Sequence, residues 1–205
     1  MVAAGMRDTR GRIAAALLCA LAFTACGGER QDADAPSGEF DLDVTTASFP
    51  AEQRIAETAT LKLEVENTGD RAVPDLAVTV ETATGEDGQA PVAFGQAGDD
   101  PTLAASARPV WIVDEGPAGG DSAYTNTWAV GPLGEGQSRT VEWKLTAAKA
   151  GSYTVNWRLA PALEGDISLG DGRTEGEFDV TIADDPVPAR VDGDGDVVRG
   201  EDAER

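Results

Sequence analysis

The feature that most constrains this chain is a period-two alternation of apolar and polar residues that recurs six times between residues 40 and 182. Phe40, Leu42 and Val44 alternate with Asp41 and Asp43, and Leu61, Leu63 and Val65 repeat the pattern up to the turn signal Asn67-Thr68-Gly69-Asp70. Leu76, Val78 and Val80 follow and close at Thr84-Gly85-Glu86-Asp87-Gly88. Further on come Val141, Trp143 and Leu145, then Tyr153, Val155, Trp157 and Leu159, then Phe178, Val180 and Ile182. Side chains two apart share one face of a strand, so each run describes a strand with one buried side. With turn formers between the runs and no helical period after the first 25 residues, the pattern predicts an all-β, antiparallel β-sandwich over 39–183.

Three turn-bearing motifs make this prediction more specific. They are Leu61-Lys-Leu-Glu-Val-Glu-Asn-Thr-Gly69, Gly134-Glu-Gly-Gln137 ahead of a strand, and Ala150-Gly-Ser-Tyr153 ahead of another. Together they resemble the immunoglobulin-like domains of the CARDB type found on prokaryotic cell surfaces. The resemblance covers residues 40–83 and 128–182. It implies an immunoglobulin-like topology and is nearly silent on function, because the motifs mark strand ends.

Between these stretches lies an inserted section, residues 85–127, longer than an ordinary loop. Its first half is polar and turn-rich. Its second half holds Pro109-Val-Trp-Ile-Val113, where Val110 and Ile112 alternate with Trp111 and Val113 so that both faces are apolar. Such a strand is either covered on both faces or exposes an apolar patch. Trp111, Tyr124 and Trp128 are the candidate partner contacts, since large aromatic residues commonly anchor interfaces. The opposing expectation is that Trp128, sharing a strand face with Val130, belongs to the core with Trp143 and Trp157.

The first 25 residues read differently from everything after them. Arg7, Arg10 and Arg12 precede an apolar segment, Ile13 to Ala22, too short to span a bilayer, and small residues follow. This is the layout of a secretory signal peptide. The run Leu21-Ala-Phe-Thr-Ala-Cys26-Gly27 resembles the lipobox of bacterial lipoproteins, although Phe23 stands where a Leu is usual. The resemblance implies that the Cys26 thiol is diacylglycerated and the peptide cut just before it. The alternative is an ordinary signal peptide cut near Ala25. Two or more acyl chains attach a protein stably where one does not, so full processing predicts a chain anchored to the cell membrane by lipid at Cys26, outside the cytoplasm. Residues 26–38 (through GGERQDADAPSG) are polar, lack periodic apolar residues, and are expected to form a flexible tether.

Charge excludes one class of partner. The whole chain carries a formal charge of −21, and removing residues 1–25 takes away three arginines and Asp8, giving −23. Such a surface repels phosphate backbones, so no nucleic-acid partner is expected. Residues 184–205 add eight acidic residues against Arg190, Arg199 and Arg205, with Pro186 and Pro188 opposing regular structure, and are expected to be a disordered acidic tail.

Catalytic chemistry is thinly provided for. The chain has no histidine, and of its two cysteines Cys19 leaves with the signal peptide and Cys26 takes lipid. Ser-His-Asp and Cys-His catalysis and the usual zinc sites are therefore not available. Asp192, Asp194 and Asp196 have the one-three-five spacing of an EF-hand loop, but Val197 stands at the glycine position and Ala203 where a bidentate Glu belongs, so the match fails. Asp99-Asp100 and Asp114-Glu115 are weak calcium candidates in the inserted section. The expectation is a lipid-anchored, non-enzymatic surface module with no cofactor and no dedicated metal site, whose partner is a protein or a cell-surface polymer. The alternative is an accessory lipoprotein that binds a small ligand or metal ion for a membrane partner. An exposed patch around Trp111 and Tyr124 would favour the first, and a closed pocket the second.

Overall fold

A computed structural model describes residues 36–84, 90–96, 109–124, 126–191, 193–195 and 197–199. The six alternating runs all become strands: β2 (Leu42–Ser48), β4 (Thr58–Asn67), β5 (Ala77–Thr82), β10 (Ser138–Ala147), β11 (Gly151–Ala160) and β13 (Glu175–Ala183). Shorter strands lie among and beside them. These are β1 (Ser37–Phe40), β3 (Glu52–Arg54), β6 (Phe94–Gln96), β7 (Trp111–Glu115), β8 (Asp121–Tyr124), β9 (Thr127–Ala129) and β12 (Asp166–Leu169). No helix occurs among the described residues.

Two sheets face each other. One has the order β2-β4-β10-β7-β6 and the other β3-β13-β11-β5-β9-β8. The long ladders are antiparallel, while β3 on β13, β6 on β7 and β1 on β12 are short parallel pairings. After β2 the chain leaves the first sheet through Phe49 and Pro50 and joins the second as β3. This is the immunoglobulin-like β-sandwich that the alternation and the turn motifs predict.

The buried faces meet in one core. Leu42, Leu61, Leu63, Val65, Val141, Trp143 and Leu145 come from the first sheet, and Val78, Val80, Val155, Trp157, Val180 and Ile182 from the second, all at most 2% exposed. Burying a side chain of this size contributes about 1.5–3 kcal/mol each, which is what holds the sandwich, whose described residues include no cysteine. Asn67 is also fully buried and closes its turn: its Nδ2 donates to the carbonyls of Arg71 (2.8 Å) and Leu133 (3.0 Å), and its Oδ1 accepts from the Gly69 amide (3.1 Å). A buried amide is tolerable only when satisfied in this way.

The structure revises three boundaries. The first strand begins at Ser37, inside the expected tether, where Ser37 and Gly38 already pair with Asp166 and Ile167. The inserted section is not an excursion from the sandwich, since its described parts supply β6 and β7 to one sheet and β8, with the start of β9, to the other. Within the tail, β14 (Ala189–Val191) and β15 (Val197–Arg199) form a hairpin that period-two reading did not foresee.

Candidate functional site

Of the three aromatic residues expected to contact a partner, two are inside. Trp111 is 0% exposed, and its indole Nε1 donates to Gln53 Oε1 at 2.7 Å across the sandwich, while Gln53 Nε2 donates to the Pro50 carbonyl at 2.9 Å. The strand carrying Trp111 is therefore covered on its tryptophan face, with the ring packed 5.4 Å from Phe49, 6.2 Å from Phe94 and 5.8 Å from Tyr153. Trp128 is 9% exposed and packs between Phe94 (5.5 Å, tilted) and Trp143 (5.4 Å, edge to face). Both are core residues rather than partner contacts. The physical reason is the pairing of β7 and β9 into the two sheets, which turns these rings inward. Tyr124, on β8 at a sheet edge, is 56% exposed, with its hydroxyl 3.5 Å from Glu164 Oε1. An exposed patch around Trp111 and Tyr124 is thus not what the fold builds.

Two carboxylates of the inserted section, Asp114 and Glu115, are engaged locally. Thr146 Oγ1 donates to Asp114 Oδ2 at 2.6 Å, and Lys144 Nζ donates to Glu115 Oε1 at 2.8 Å. The Glu115 carboxylate holds the Lys144 ammonium above its ordinary pKa. Asp99-Asp100, Asp192 and Asp196 lie outside the described residues. Among the described residues no group of three or more acidic, histidine or cysteine side chains is close enough to hold a metal ion.

The concave feature that sequence reading missed is a groove of about 450 Å³ on the outer face of the six-stranded sheet, lined by Thr79, Glu81, Asn156, Arg158, Glu175 and Glu177 beside the strand positions of Trp157 and Gly176. Register builds it. Asn156 lies between Glu81 and Glu177, and Arg158 between Thr79 and Glu175, so two cross-strand rows of polar side chains face outward from β5, β11 and β13. Arg158 Nη1 donates to Glu81 Oε1 at 2.9 Å, with the two side chains 59% and 44% exposed. Three carboxylates against one guanidinium suit a polar or cationic ligand held by hydrogen bonds. No signal for the groove exists in the sequence, because its residues come from three strands up to 98 positions apart, from Thr79 to Glu177.

No protein-family model matches the chain, and no curated protein matches it by sequence. Solved structures do. The CARDB domain of a Pyrococcus furiosus protein, in complex with di-metal ions, is 18% identical at a TM-score of 0.44, with 71% of this chain and 96% of that one covered. A solution structure of the same domain gives 17% identity and a TM-score of 0.43, over 70% and 94% of the two chains. The β-glucosidase from Listeria innocua in complex with glucose is 14% identical at a TM-score of 0.40, where 72% of this chain spans 16% of the enzyme. The described residues define an immunoglobulin-like β-sandwich.

Proposed function

We propose that this chain is a lipid-anchored extracytoplasmic β-sandwich module with a non-enzymatic binding or structural role at the cell surface. The observation that carries the reading is Cys26, set in Leu21-Ala-Phe-Thr-Ala-Cys26-Gly27 directly behind a basic and then apolar leader. A sandwich that follows only ten residues later supports it, as does the lack of any histidine or free thiol in the processed chain. Burial of Trp111 and Trp128 supports polar faces, rather than an aromatic patch, as the surface for binding. The accessory-lipoprotein alternative finds support in the open groove lined by Glu81, Glu175 and Glu177, whose charge suits a small cationic ligand.

Intact mass and membrane fractionation of the native protein beside Cys26→Ala test the reading. Native protein is expected in the membrane fraction with a mass increment of lipid size, and Cys26→Ala is expected to lose both. An unmodified mature chain in the medium would sink the anchor and leave a free secreted β-domain.

A further inference from the structure

Arg158 brings a guanidinium to the groove on the outer face of the six-stranded sheet, and the direction it takes sets the charge of the two walls. In register it stands opposite Glu175 on β13 and Thr79 on β5. Its Nη1 nonetheless donates diagonally to Glu81 Oε1 on β5, at 2.9 Å. The β5 wall is thereby neutralised. Glu175 and Glu177, both exposed and two positions apart on β13, are left with no cation at ion-pair distance among the described residues. Asp179, the next outward carboxylate along β13, is engaged instead by Thr154 Oγ1, which donates to its Oδ1 at 2.8 Å. Between the positions of Glu81 and Glu177 lies Asn156, half-buried, whose side-chain amide has no partner among the described residues. The groove is thus a concavity with a guanidinium, an amide and a hydroxyl in its lining, and an uncompensated charge along one wall.

From this charge complementarity we infer that the groove takes a linear aliphatic diammonium ion, the chemistry of the short polyamines, with one ammonium group on Glu175 and the other on Glu177 beside the Asn156 amide oxygen. The inference rests on the small-cation reading of the groove given above and does not involve the lipid at Cys26. Spacing selects the ligand. Two positions along a strand lie about 6.6 Å apart, at ~3.3 Å per residue. Four methylenes hold two ammonium groups about 6 Å apart when extended, from bonds of about 1.5 Å. A metal ion would instead need several oxygens converging on one point, and no such group of side chains occurs among the described residues. The volume, about 450 Å³, falls within the roughly 300–1,000 Å³ of small-molecule sites. The methylenes of the ligand have the aliphatic stems of Arg158 and the glutamates to lie against.

Calorimetric titration of the purified native protein at low ionic strength, in a neutral detergent where it carries lipid, tests the inference with 1,4-diaminobutane beside 1-aminobutane. An acidic chain attracts any cation, so a charge-matched control accompanies the groove variant. The diammonium ion is expected to bind roughly fivefold tighter than the monoammonium ion, which is what one further exposed ion pair contributes at most. Glu175→Gln with Glu177→Gln is expected to weaken the diamine by roughly tenfold, as two such pairs are lost. Glu64→Gln with Glu66→Gln, which removes the same charges at the same spacing from β4 in the other sheet, is expected to change it by less than about twofold. Arg158→Gln removes a like charge and frees Glu81, and is expected to strengthen binding severalfold; unchanged or weaker binding would overturn the assignment of the two walls. Equal affinity for the two amines, with the groove variant still weakened, overturns the dication and leaves a site for a single cation. Equal loss from the two double variants, or no binding at all, overturns the small-cation reading of the groove as well.

Discussion

Gln53 is the residue whose role could least be guessed from its surroundings in sequence, yet it connects the two sheets through Trp111. Its Oε1 accepts the indole N–H at 2.7 Å and its Nε2 is used by Pro50, so neither polar group of this buried pair is left unpaired. Gln53→Leu keeps the bulk and orphans the indole, which is expected to cost about 1–3 kcal/mol in denaturant unfolding. Trp111→Phe added to it should cost less than the two single changes together, because both remove one contact. Full additivity would show that the hydrogen bond carries nothing. Tyr153 offers a titration. Burial holds its phenol above the ordinary pKa of about 10, and its hydroxyl donates to the Ala150 carbonyl at 2.9 Å. The unfolded chain therefore gives up this proton first, so the stability tied to the neutral phenol is present below about pH 10 and lost as pH rises above it. Urea unfolding between about pH 9 and about pH 11 should show wild type losing stability relative to Tyr153→Phe, and parallel curves would refute the assignment.

At the level of elements, the clasp on the N-terminal strands depends on glycine where the backbones touch. Gly172 has φ +121°, and a Cβ there would lie 2.1 Å from the Leu42 carbonyl oxygen, so β2 would have to shift. Gly172→Ala is expected to cost at least about 1–3 kcal/mol from the backbone conformation alone, and to speed hydrogen exchange at Val44, whose amide donates to the Arg173 carbonyl at 2.9 Å. Unchanged exchange at Val44 with unchanged stability would falsify the clasp. This element also marks where sequence reading stopped. The six long strands were legible because six or more residues leave room for alternation to repeat, as in Leu61, Leu63 and Val65 of β4. β3, β6 and β9 have three residues each, too few to display a period, and their strand character comes from partners far away in sequence, such as Val180-bearing β13 for Gln53. Trp111 was misplaced for a related reason: an apolar residue on either face of β7 says that the strand is covered, and only topology says by what. The outer groove was illegible throughout, since Thr79, Asn156 and Glu175 acquire meaning only from register.

Taken as a whole, the molecule carries far more negative charge than its ion pairs relieve. Asp and Glu number 37 against 16 Lys and Arg, and ion pairs such as Arg54–Asp185, Lys144–Glu115 and Arg158–Glu81 are all well exposed. Exposed pairs contribute about 0–1 kcal/mol each, and salt weakens them. Salt also screens the repulsion among the excess carboxylates, which opposes the compact state. The second effect should win, because the mature chain carries a formal charge of −23 and the screening length falls from about 10 Å to about 3 Å between 0.1 M and 1 M salt. The melting temperature of the mature domain is therefore expected to rise by several degrees as NaCl is added over that range, with most of the gain at the lower concentrations. Thermal unfolding followed by circular dichroism reads this directly, and a falling Tm would mean that the few ion pairs, rather than the surplus of acid, govern the stability of the fold.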